Sequence, residues 1–164
     1  MKRGSTLFLK TAVIIIGIPV LVLCLYFLPQ IAKEAIEHVE KGAVVLPYVV
    51  FGLLFIMYVS AIPFYYALYQ ALKLLSYIDK NQAFSDLSVK ALKKIRNCAI
   101  TISGLYVVGL PLVFVIAEWD DAPGLVLIGM VVVGASLVIA VFAAVLQRLL
   151  KEAIDIKSEN DLTV

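Results

Sequence analysis

The chain has 164 residues, of which 63% are hydrophobic and 16% charged, with a formal net charge of +2. Soluble domains run at about 45–50% apolar and about 25% charged, so this composition, with a mean hydropathy of +1.02, excludes an ordinary soluble fold. The small positive excess comes from how the basic residues are sorted along the chain, and no direct nucleic-acid binding is expected.

Residues 11–32, 42–72, 97–117 and 122–147 contain no Asp, Glu, Lys, Arg or His. Each stretch supplies the ~20 apolar residues that cross a hydrocarbon core about 30 Å thick. The expected fold is an all-α membrane protein, a single four-helix transmembrane domain over residues 1–164. Its spans are placed at 8–28, 43–72, 97–117 and 125–147, with a tail at 148–164. Short amphipathic helices are expected in the first outer loop and in the inner loop.

Span one reads "FLKTAVIIIGIPVLVLCLYFL" after Lys2 and Arg3. Its apolar core exceeds the ~7–15 residues of a signal h-region and no small-x-small site follows, so it is expected to be retained. Lys10 is placed to snorkel to the inner interface, and Pro19 to kink the helix. In "PQIAKEAIEHVEKG", Ile31, Ala35, Ile36 and Val39 recur at helical spacing, with Glu37 and Lys41 as an i,i+4 pair. Gly42 is the expected stop. Glu34 and His38 also stand four apart. One exposed pair reads more simply as a solvated polar face, and no metal is assigned.

Span two is longer than a bilayer requires, which predicts a tilt, a bend at Pro63 or a turn projecting beyond the membrane. Phe51, Tyr58, Tyr65 and Tyr69 share one helical face. An interfacial belt or packing seam is the simpler reading of such aromatics, and a ligand-binding stripe is the alternative.

After a turn at "DKNQ" comes "FSDLSVKALKKIR". Ser85 is a suitable N-cap and Asp86 suits the first turn. Asp86, Lys90, Lys93, Lys94 and Asn97 make a polar stripe, while Leu87, Ser88, Ala91, Leu92 and Ile95 make the opposite face. An amphipathic helix on the inner membrane surface is expected here. Lys90, Lys93, Lys94 and Arg96 become the candidate residues for docking, or for contact with the anionic inner leaflet.

Span three carries Thr101, Ser103, Gly104, Gly109 and Pro111. The turn "EWDDAPG" is short, which makes spans three and four antiparallel neighbours, with Trp119 as an interfacial anchor. Glu118, Asp120 and Asp121 are spaced for loose cation binding, although charge sorting alone accounts for them. Ser136, Ala140 and Ala144 stand at intervals of four in span four. Small residues let helix backbones approach closely in lipid, so they form a candidate packing seam toward the interior or toward a second copy in a homo-oligomer. In the tail, Leu149, Leu150, Ala153 and Ile154 share a side.

Twelve basic residues fall at the amino end, in the 73–96 segment and in the tail, whereas Lys33 and Lys41 alone lie on the other side. Orientation follows Lys and Arg near span ends, so both termini are expected in the cytoplasm. Cys24 and Cys98 then lie near opposite faces, beyond the ~7 Å that a disulfide requires. Cys98 is expected to be open to thiol reagents from the cytoplasmic side.

No ionisable residue lies deep in a span, where proton relays and coupled transporters place one. The matched broken segments of inverted-repeat transporters are missing, as are phosphate-loop, hydrolase and zinc motifs. No enzyme activity and no cofactor are expected.

The stretch "SAIPFYYALYQALKLLSYIDKNQAFSDLSVKALKKIRNCAI", residues 60–100, resembles a bacterial family named domain of unknown function 2975. Phe84-Ser85 followed by a Lys-rich helix is the most specific element, and the length and four spans agree. The resemblance implies a small bacterial plasma-membrane protein. Similar proteins are often encoded beside a short helix-turn-helix regulator, which implies a membrane partner for such a regulator. No catalytic or ligand residues are established for the family, so none is carried over. The leading expectation is a non-enzymatic regulatory or sensory membrane protein that docks a cytoplasmic regulator on its basic helix. An immunity or envelope-stress protein against a membrane-active peptide comes second, and a small transporter or channel component third.

Overall fold

The structure, a computed structural model, describes residues 3–163. Lys2, counted above among the basic residues, lies outside the described residues. Four long helices account for nearly all of the chain: α1 (Arg3–Glu40), α2 (Val45–Asp79), α3 (Asp86–Trp119) and α4 (Gly124–Thr163). Each is long and apolar enough to cross a membrane. The shortest has 34 residues, roughly 50 Å at 1.5 Å per residue, well beyond a 30 Å core. Every span therefore projects past the apolar layer.

That excess length accommodates the amphipathic segments. Leu28–Glu40 is a 13-residue helix that continues α1, and the 86–96 segment forms the first turns of α3 and runs directly into span three. Nothing between Asp86 and Pro111 interrupts the α3 backbone. In α1 the obstacle is Pro29, which cannot donate to the helix ladder. The chain absorbs it with a π-helical segment, Leu23–Phe27, rather than a break. Leu28 N–H donates to the Leu23 carbonyl, five residues back.

The three turns close by a shared device, a residue in the left-handed region just past the helix end. Gly42 (φ 90°), Asn81 (φ 58°) and Asp121 (φ 50°) occupy that position. The N–H of the following residue then reaches back across the last turn: Ala43 to His38, Gln82 to Tyr77 and Ala122 to Ala117. Glycine adopts this backbone without strain, and Asn and Asp tolerate it better than other side chains. The loops are tight, and successive helices run antiparallel.

The principal interfaces join consecutive helices, and each includes a close approach at a glycine. A Cβ on Gly17 of α1 would lie 3.2 Å from Leu68 Cδ1 of α2. One on Gly109 of α3 would lie 3.4 Å from Ile56 Cδ1 of α2, and one on Gly129 of α4 3.0 Å from Leu110 Cδ2 of α3. Between α2 and α3, the Ser60 and Tyr106 hydroxyls share a hydrogen bond at 3.2 Å. Among the described residues α1 and α4 form no extended interface, so the bundle is open on that side. Ile14, Ile15 and Ile18 of α1 and Leu127, Ile128 and Val131 of α4 remain exposed, as lipid-facing residues do.

The α4 seam differs from its expected register. Ser136 and Ala140 are buried, but the next buried residue is Ala143, at 4% exposure, and Ala144 only flanks it. Steps of four overshoot the 3.6-residue turn and rotate off the interface, whereas alternating steps of four and three stay on it. Gly129, Val133, Ser136, Ala140, Ala143 and Gln147 follow that alternation, and none of them is exposed.

Candidate functional site

The ends of the bundle differ in charge. The basic end holds Lys10, Lys73, Lys80, the start of α3 and Arg148; the acidic end holds Glu34, Glu37, Glu40, Glu118, Asp120 and Asp121. At the basic end the start of α3 is held rigidly. Ser85 has the extended backbone of an N-cap (φ −140°, ψ 158°), but its hydroxyl does not cap the helix. It donates instead to the Gln82 carbonyl at 2.6 Å, and Ser88 Oγ donates to the same oxygen at 3.1 Å. The turn is thereby stapled to the first turn of the helix.

Ser88, Ala91 and Leu92, at 0%, 3% and 7% exposure, bury the inner face of this segment within the protein. Leu87, expected on that face, is exposed, and Ile95 is half-buried. Lys90, Lys93 and Lys94 stand exposed on the opposite side. Among the described residues none of the three forms an ion pair.

Arg96 does not belong with them. It is half-buried, its Nη1 donates to Gln147 Oε1 of α4 at 3.2 Å, and its Nε and Nη2 donate to Asn97 Oδ1. It joins α3 to α4 and is not a free surface cation. Cys98, two residues on, is buried at 8% exposure, which corrects the expectation that it is open to thiol reagents. Both thiols are free.

The α1–α2 side contains groups that the sequence reading missed. Lys10 Nζ donates to Asp79 Oδ2 at 2.6 Å, so its ammonium meets a carboxylate in the last turn of α2. The Lys10 hydrogen bond is the main cause holding the Asp79 carboxyl below its ordinary range, aided by the Thr6 hydroxyl and opposed by desolvation. Asp79 is the sole acidic residue between Glu40 and Asp86, and that isolation was the available signal.

Two tyrosines of the aromatic face bond across to α1. Tyr58 Oη donates to the Cys24 carbonyl and Tyr65 Oη to the Gly17 carbonyl, each at 2.8 Å. Both acceptors lie on α1. Phe51 is half-buried, and Tyr69 is exposed beneath the Lys73 ammonium, 5.0 Å from its ring centroid. At the acidic end, His38 Nδ1 lies 2.8 Å from the Glu34 carbonyl, one helical turn back. A carbonyl only accepts, so Nδ1 carries the proton.

The sequence profile of DUF2975, a family of proteins of unknown function, matches residues 6–164. The chain belongs to this family. It is also 59% identical, over all 164 residues of both chains, to a protein of Bacillus subtilis (strain 168) described as uncharacterized membrane protein YoaS. No solved structure matches. With four helices able to cross a bilayer and full-length similarity to a membrane protein, this DUF2975 chain is an integral membrane protein.

Proposed function

We propose that this chain is a non-enzymatic, multi-pass protein of the bacterial plasma membrane with a regulatory or sensory role. Both termini face the cytoplasm, and Lys90, Lys93 and Lys94 form the docking surface for a cytoplasmic regulator with an acidic patch. The helix-turn-helix regulator implied by the family resemblance is the expected partner. The orientation rests on the sorting of Lys and Arg to one end of the bundle.

One observation carries the docking reading. Three lysines project from a helix whose other face is buried at Ser88, Ala91 and Leu92 and whose first turn is stapled through Gln82. A preorganised helix backbone leaves only the lysine side chains to be ordered on docking. Anionic lipid offers such lysines roughly 1 kcal/mol each, so the test separates lipid from protein. Replacing Lys90, Lys93 and Lys94 together by Gln leaves Lys73, Lys80 and Arg96 to hold the topology. The expected result is loss of a co-purifying cytoplasmic regulator while all four helices remain inserted. If wild-type and triple-variant proteins retain the same set of partners, the docking reading fails.

A further inference from the structure

The acidic end contains a cleft of about 400 Å³ between the projecting part of α1, the start of α2 and the α3–α4 turn. Its walls are apolar, with Ala35, Leu54 and Ile116 among them, and its polar groups are Glu34, His38 and Asp120. A mostly apolar concavity of this size with a few convergent polar groups is the usual form of a small-molecule site.

The polar groups define the ligand's head. Neither the Glu34 nor the Asp120 carboxylate is in an ion pair among the described residues. They belong to an end where six carboxylates face two lysines, Lys33 and Lys41. Complementary charge is therefore positive. With the His38 Nδ1 proton committed to the Glu34 carbonyl, Nε2 is the ring nitrogen left to accept when the imidazole is uncharged. Two carboxylates and an imidazole acceptor call for a cation that carries N–H donors. No Phe, Tyr or Trp lines the cleft, so it lacks the cage by which quaternary ammonium groups are held. A bare metal ion would leave the apolar walls unused, and the described residues contain no cluster of three His, Cys, Asp or Glu able to hold one.

We infer that this cleft binds an amphipathic primary amine or guanidine, with the charged head between Glu34, Asp120 and His38 and the hydrocarbon body against the apolar walls. The site stands apart from the lysine surface of α3, and binding here does not depend on whether that surface docks a regulator.

The test uses the full chain in phosphatidylcholine nanodiscs, titrated calorimetrically with 4-phenylbutylamine, its trimethylammonium analogue and 4-phenylbutanol. Empty discs are subtracted from each titration. The expected result is saturable binding of the amine, with the trimethylammonium compound and the alcohol weaker by at least about tenfold, or ~1.4 kcal/mol. The double variant Glu34→Gln/Asp120→Asn should remove that preference. Glu37→Gln, which lies off the cleft, should retain it. Circular dichroism confirms that both variants keep their helix content. Equal affinity for amine and alcohol, wild-type affinity in the double variant, or no saturable signal above empty discs would overturn the inference.

A second arm separates the two sources of this head group. Amine binding that weakens when ethanolamine lipid replaces choline lipid assigns the cleft to a lipid amine. Unchanged binding assigns it to a soluble one.

Discussion

Tyr58 donates its hydroxyl hydrogen bond to the Cys24 carbonyl at the place where α1 cannot satisfy its own backbone. Cys24 lies in the π-helical segment Leu23–Phe27, where Leu28 N–H reaches back five residues to Leu23. The next donor in that register would be residue 29, which is proline and has no N–H. The Cys24 carbonyl is thus orphaned by Pro29, and Tyr58 supplies the donor at 2.8 Å. Proline persists in membrane helices when a neighbour re-satisfies the freed backbone group.

This pairing makes Tyr58→Phe and Pro29→Ala interdependent. In a protein with Pro29, Tyr58→Phe should cost about 1 kcal/mol, the usual scale of a hydrogen bond between membrane helices. In a Pro29→Ala background, where an N–H is available at position 29, the same change should cost clearly less. A double-mutant cycle on thermal unfolding in detergent measures the difference. Equal costs in the two backgrounds would show that the tyrosine does not serve the orphaned carbonyl.

The α4 register predicts unequal tolerance at adjacent alanines. Ala143 is buried in the α3–α4 interface, while Ala144 flanks it. Ala143→Leu should destabilise by about 1–3 kcal/mol through overpacking, and Ala144→Leu by less than half as much. Gly134, whose Cβ would meet nothing within 4 Å, is the control and should accept Ala without loss. Thermal midpoints of the purified variants decide the order.

The Lys10–Asp79 pair gives a pH signature. Asp79 is held below the ordinary carboxylate range in the folded protein, chiefly by the Lys10 hydrogen bond. A depressed folded-state value means that the contribution is present above the unfolded value, about 3.9, and is lost as pH falls through the lower folded value. Asp79→Asn should therefore unfold at a lower temperature than wild type at pH 7. The two should converge as pH falls through the lower folded-state value, once the wild-type carboxyl protonates. A gap of constant size across that window would remove the ion pair from the account.

Thiol labelling tests the proposed orientation. In a chain lacking Cys24 and Cys98, Lys93→Cys should react with a membrane-impermeant maleimide only after the cytoplasmic side is opened, and Glu37→Cys in intact spheroplasts. In the wild type, buried Cys98 should react at least about tenfold more slowly than Cys introduced at position 93, the scale set by its restricted access. Labelling of Lys93→Cys in intact spheroplasts would reverse the topology.

The four helices were legible because uncharged runs of 20 or more residues have few other solutions, and the turn residues Gly42, Asn81 and Asp121 follow from local backbone preference. What escaped reading is tertiary. The passage of α1 through Pro29 is not legible locally, because the donor that re-satisfies the Cys24 carbonyl, Tyr58, comes from another helix. Arg96 read as one more surface cation because nothing local announces Gln147 as its partner. Counting in fours points to Ala144, while the interface follows alternating steps that appear once α3 is in place. Lys90, Lys93 and Lys94 were recognisable because an exposed stripe depends on helical period alone.

The docking reading is tested most directly by a photo-crosslinking amino acid at position 93, activated in living cells, with the adducts identified by mass spectrometry. The expected product is an adduct to an acidic cytoplasmic regulator, lost when Lys90 and Lys94 are also replaced by Gln. Adducts to lipid alone, unchanged by those replacements, would contradict the docking reading.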